Sequence, residues 1–174
     1  MKFYLHAAAR GLVLVLLAAG TCGGAQRPEG LPADVSEKDL AGVVIKLSRS
    51  ECFGPCPVYE VEVRGDGTVK FKGRKYVTVT GERRYRVPVA RVRELVAAFY
   101  KIDFFALKDE YTRKVYPDGS YEVANDLPGA LTTIRIGGRK KRVYDYFGTP
   151  DAVRELEEKI DEVSGANQFI PPDK

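Results

Sequence analysis

The residues best placed to act on one another are Cys52 and Cys56, in the run Cys52-Phe53-Gly54-Pro55-Cys56-Pro57. Four positions apart, their sulfurs meet only if the backbone folds back, and Gly54-Pro55, with Pro57 behind it, is suited to that turn. One chemistry is a small structural disulfide. A five-residue loop stabilises by only about 2 kcal/mol in the chain-entropy account, so its value would lie in shaping the turn. A second is a working dithiol. Redox pairs usually carry two intervening residues and a first thiol at a helix N-terminus, where the dipole lowers its pKa. Here three residues intervene and a strand-patterned segment follows, which favours the structural disulfide.

A third chemistry is a soft metal such as Cu(I). The Cys-x-x-x-Cys-Pro spacing is similar to the loop of copper-delivering envelope proteins of thioredoxin fold, which add a histidine ligand elsewhere. This chain has a single histidine, His6, inside a segment read below as removable. No metal and no cofactor are therefore expected. Histidine-based triads and the usual zinc sites are excluded on the same ground.

Carboxylate pairs could still work as acid and base in a hydrolase. Glu60 and Glu62 share a strand face, but are expected to point to solvent and pair across strands with Lys70 and Lys72. Asp109, Glu110, Asp118, Glu122 and Asp126 crowd one loop without a calcium-loop spacing. Arg139-Lys140-Lys141-Arg142 reads as a solvated basic turn. No catalytic residue is assigned.

The elements holding these groups follow an N-terminal address. Lys2 and Arg10, the apolar run Gly11 to Ala19 and small residues to Thr21 read as an export signal over residues 1–21, too short to span a bilayer. Ala18-Ala19-Gly20 fits ordinary secretion, whereas Ala19-Gly20-Thr21-Cys22 resembles a bacterial lipobox with Cys22 as the lipid anchor. The Gly-, Pro- and charge-rich stretch that follows suits a flexible tether over 22–40, and anchoring Cys22 removes an odd thiol. A membrane-anchored lipoprotein is expected ahead of a soluble exported one. Removing Lys2 and Arg10 leaves 26 basic against 24 acidic residues, a balance that implies no nucleic-acid partner. A monomer is expected, with an envelope protein or cell-wall polymer as the partner class.

About 135 residues remain, enough for one domain, placed at 41–165 with a tail over 166–174. Strands are expected at Ala41–Arg49, Val58–Arg64 and Thr68–Lys72, with Gly73 breaking the third and a fourth over Lys75–Thr80 extended toward Val87. Pro88 opens a helix with the stripe Val92, Leu95, Val96, Phe99 and Ile102. Tyr116 to Tyr121 could close a small hairpin. Leu131–Ile136 and Arg142–Phe147 are strands joined through Gly137-Gly138. Thr149 is expected to cap a last helix whose inward face is Val153, Leu156, Ile160 and Val163, with Gly165 ending it. Hairpins without crossovers predict an α+β fold, one two-layer domain with an antiparallel sheet and two helices packed on one face.

Cys52-Phe53-Gly54-Pro55-Cys56-Pro57-Val58-Tyr59 resembles the Cys-x-Gly-x-Cys-Pro-x-Tyr signature of the bacterial domain-of-unknown-function family numbered 6438. The likeness continues through Gly65-Asp66-Gly67, Phe104-Phe105-Ala106-Leu107, Tyr111, Asp126-Leu127-Pro128 and Val143-Tyr144-Asp145-Tyr146, roughly residues 42 to 163. The resemblance implies an exported or lipid-anchored protein and supplies no activity. The functional expectation is a non-enzymatic binding or structural module carrying a Cys52–Cys56 disulfide. A thiol-redox or copper-handling protein is the alternative, and a carboxylate-based hydrolase the third.

Overall fold

A computed structural model describes residues 35–172. Ser36 opens the first helix, α1 (Glu37–Ala41), through a capping box in which it exchanges hydrogen bonds with Asp39. Leu40 and the preceding Val35 are buried in the core. A helix thus occupies part of the stretch read as a tether, and the first strand begins three residues later than Ala41. The cap and one buried leucine outweigh the polar composition around them.

Four strands follow: β1 (Val44–Arg49), β2 (Val58–Arg64), β3 (Thr68–Lys75) and β4 (Gly81–Arg86). Gly73 does not end β3. A Cβ there would lie 2.1 Å from the Val79 carbonyl oxygen, so glycine is what lets residues 76–80 fold closely over the strand. Those residues form bends, and β4 starts only at Gly81. The expected strand Lys75–Thr80 is therefore replaced by a crossing segment and a later strand.

Helix α2 (Val89–Lys101) starts after Pro88 and buries Val92, Leu95, Val96 and Phe99. A 3₁₀ turn at Phe104–Ala106 leads to β5 (Glu110–Thr112), then to the small hairpin of β6 (Lys114–Val115) and β7 (Tyr121–Glu122). β8 (Ala130–Ile136) and β9 (Arg139–Phe147) form the last hairpin. α3 (Asp151–Ser164) buries Val153, Leu156, Ile160 and Val163, and Gly165 ends it. The cap of α3 differs from expectation: its N-cap is Pro150 without a side-chain bond, and the Thr149 hydroxyl is used elsewhere.

The main sheet has the order β4-β3-β2-β1-β8-β9-β5. The fold is α+β with a mostly antiparallel sheet. β5 departs from the expected antiparallel pattern and pairs parallel to β9, because the chain returns to that edge only after α2. Three α-helices are present among the described residues rather than two. Val61 and Val63 stand opposite Leu47 and Ile45 and, on their other side, Phe71 and Val69, so one sheet face is apolar. Residues from that face and from all three helices make one core cluster. The alternate positions carry charge, as at Lys46 beside Glu62 at 2.7 Å.

The expected tail also contributes. Ala166–Phe169 forms a 3₁₀ turn, and Phe169 packs on Phe71 with ring centroids 4.7 Å apart while its carbonyl accepts from Thr78 N–H at 2.8 Å. A single aromatic supplies the burial that two neighbouring prolines concealed.

Candidate functional site

Register alone assembles one wall of the site. Tyr59 on β2 faces Arg49 on β1, Arg49 faces Ala130 on β8, and Ala130 faces Asp145 on β9, so four residues line up as one rung across four strands. The next rung inward places Thr132 opposite Leu47. Over these rungs α3 presents Arg154, Glu157, Glu158 and Asp161, spaced by three and four residues and therefore on one helix face.

The groups interlock. Asp161 accepts from the Tyr59 hydroxyl at 2.7 Å and from the Arg49 guanidinium at 2.8 Å, while Arg49 Nε also donates to the Tyr59 oxygen at 2.9 Å. Glu157, only 2% exposed, accepts from the Thr132 hydroxyl at 3.1 Å and lies 3.6 Å from Arg49. Asp145 accepts from Thr149 and lies 3.4 Å from Arg154.

Burial sets the protonation of this cluster. It pushes the Glu157 carboxyl up to about 7, with the Asp145 and Asp161 charges adding to the effect and Arg49 opposing it. Asp161 is also raised, by burial against the opposition of Arg49 and Tyr59. Burial disfavours the Arg49 charge, but Asp161, Tyr59 and Glu157 outweigh it and hold the guanidinium protonated. The Tyr59 phenol is raised by burial and by the Asp161 charge beside it.

These residues line a cleft of about 520 Å³, closed on other sides by Cys56, Pro57, Leu127, Pro128 and Ile170. Cys52 and Cys56 form a disulfide with Cα atoms 5.8 Å apart. Gly54 N–H bonds to the Cys52 carbonyl, Pro55 completes the loop, and Pro57 is part of the cleft wall. Phe53 N–H bonds to the Asp126 carbonyl at 3.0 Å, which ties the cysteine loop to the segment before β8. Cys22 lies outside the described residues.

The carboxylates singled out from sequence do not gather. Glu62 pairs with Lys46 and Arg64, and Glu60 with Arg74, rather than with Lys70 and Lys72. Asp109 binds Lys141, Asp118 binds Ser120, and Glu122 accepts from Tyr116. Among the described residues no group of three or more His, Cys, Asp or Glu is placed to hold a metal ion. Of the basic turn, Lys141 is drawn to Asp109 and Arg139 lies over the Phe105 ring at 3.9 Å.

Sequence reasoning missed Arg49, Tyr59, Asp145, Glu157 and Asp161. A signal existed in α3: Val153, Glu157, Asp161 and Ser164 share one face at helical spacing, and all four are buried. Acidic residues bordering an apolar stripe imply that something opposite receives them.

Residues 43–164 match the family Domain of unknown function (DUF6438). The chain belongs to it. The matched span runs from the residue before β1 to the last residue of α3, so all of the site except Ile170 lies inside the DUF6438 domain. No curated protein matches the sequence.

Proposed function

We propose that this DUF6438 domain is a non-enzymatic binding module whose ligand site is the cleft under the Cys52–Cys56 loop. One observation carries the reading: the disulfide loop and the α3 carboxylates, some hundred residues apart in sequence, converge on the same cleft. A concave site with apolar walls and a few fixed polar groups is the usual form of a ligand pocket. The carboxylates shape its wall. Both Asp161 oxygens and one Glu157 oxygen already accept hydrogen bonds from protein donors, which suits a preorganised surface better than a reacting pair.

The test is a chemical-shift screen of the ¹⁵N-labelled protein against amines, carboxylic acids, saccharides and short peptides. Saturable shifts confined to residues 49–59, 127–130 and 154–161 would support the reading. Shifts scattered over the surface, or none, would remove it.

A carboxylate hydrolase is the second reading, favoured by Glu157 holding a proton near pH 7 beside Asp145 in an open cleft. Turnover of a glycoside or ester that disappears in Glu157→Gln would replace the binding module with it. The dithiol reading ranks behind both, since the loop runs into β2 rather than into a helix N-terminus.

The same proposal places the domain in a bacterial envelope, tethered through lipidated Cys22 behind a cleaved signal. The charged start, apolar run and small-residue end of residues 1–21 support that address. We further infer a two-layer arrangement with the helices over the sheet's apolar face, supported by their shared core cluster.

A further inference from the structure

Phe53 is 89% exposed, the most exposed large apolar side chain among the described residues. It stands on the β1–β2 loop beside the cleft, held by the Cys52–Cys56 disulfide and by its own N–H bond to the Asp126 carbonyl. Leaving such a ring in water forgoes about 2 kcal/mol of burial. An aromatic side chain with two rotatable bonds on a held backbone loses little conformational freedom when a partner covers it, which is the character of interface anchors.

The neighbouring cleft is unevenly charged. Asp145, Glu157, Glu158 and Asp161 face only Arg49 and Arg154. Arg49 is taken up by Asp161 and Glu157, and Arg154 by Asp145. Glu158 is exposed at the rim and makes no ion pair among the described residues. Pro57, Leu127, Pro128 and Ile170 offer apolar surface alongside it, of the kind that takes the methylene stem of a long cationic side chain.

We propose that Phe53 and the cleft form one docking surface for a polypeptide segment that lays apolar residues against Phe53 and inserts a lysine or arginine side chain beside Glu158. This rests on the cleft being a binding site and names the occupant. Charge complementarity selects a cation, and an aromatic anchor outside the cleft lining calls for a partner larger than the cleft itself.

The test uses the full mature chain and two capped peptides, acetyl-Ala-Leu-Lys-Leu-Ala-amide and its norleucine counterpart, followed by amide chemical shifts, with butylammonium as a small cationic control. The lysine peptide should bind more tightly and shift residues 53–59, 127–130 and 157–161. Glu158→Gln, at an exposed position, should weaken the lysine peptide about threefold and leave the norleucine peptide unchanged. Phe53→Ala should weaken both peptides. Equal binding of the two peptides, or indifference to both substitutions, would overturn the docking proposal. Binding of butylammonium in the cleft with neither peptide bound would overturn it while leaving the cleft as a ligand site. No binding by any of the three would overturn it, and the broader ligand screen would then decide the cleft reading separately.

Discussion

The Tyr59 hydroxyl donates to Asp161 at 2.7 Å across 102 positions of sequence, and through that bond β2 and α3 hold each other in place. Removing the hydroxyl alone, in Tyr59→Phe, leaves Arg49 and Asp161 joined and should cost about 1–2 kcal/mol. Asp161→Ala strips Arg49 of its main partner and should cost more, about 2–4 kcal/mol given that the cleft admits solvent. Urea unfolding of the two variants and their double mutant should show strong non-additivity. Simple additivity would mean that the three groups do not act as a unit.

Glu157 makes stability depend on pH. Its folded-state pKa of about 7 lies above the ordinary value of 4.5, so between these values the folded state binds more protons than the unfolded one. The contribution is complete below pH 4.5 and is lost as pH rises through 7, with Asp161 acting in the same sense. The loss should be at most about 3 kcal/mol. The flanking charges are Arg49, Asp145 and Asp161. Unfolding midpoints of the wild type should fall from pH 5 to pH 8 by more than those of Glu157→Gln, which keeps an acceptor for Thr132. Equal slopes would show that Glu157 titrates normally.

The disulfide should stabilise modestly and matter more for shape. Cys52→Ser with Cys56→Ser should lower stability by about 2 kcal/mol without abolishing folding. Native protein should resist alkylation until reductant is added, and the pair should be reduced only below about −300 mV. Ready exchange with glutathione and no loss of stability would point to a working dithiol.

Gly148 links β9 to α3 with φ of +79°, and a Cβ there would lie 2.4 Å from the Arg113 carbonyl oxygen. Gly148→Ala combines an unfavourable backbone conformation with a backbone clash and should cost more than about 1 kcal/mol. A melting temperature equal to that of the wild type would contradict this close approach.

Mass analysis of the mature protein from a bacterial host tests the anchor. The expected species begins at a diacylated Cys22 and partitions with membranes. An unmodified chain beginning at Thr21 would make the protein a soluble exported one.

Strands and helices whose pattern is local were legible in the sequence. The alternation of Tyr59, Val61 and Val63, the stripe from Val92 to Phe99 and the hairpin at Gly137-Gly138 all depend on near neighbours. Helix α1 and the Phe169 turn were not, because each is fixed by a side chain, buried Leu40 and half-buried Phe169, that meets a distant surface. Crossing residues 76–80 were misread for a similar reason: Gly73 looks like a strand breaker until Val79 is seen to lie over it. The cysteine loop was legible as a motif, whereas the cleft was not. Its wall exists only once register brings Tyr59, Arg49, Ala130 and Asp145 into one rung, and register follows from the whole sheet.

β1 also gives the domain a polarity. Val43, just before that strand, accepts from Gly65 N–H at 3.0 Å, so α1 and the chain entry lie beside the β2–β3 turn. Arg49, at the other end of the same strand, belongs to the cleft. Six residue steps of extended chain separate the two, about 20 Å. A domain held by the chain that precedes residue 35 would carry its attachment at one end of β1 and the cleft and Phe53 at the other, so that the point of attachment leaves the cleft uncovered.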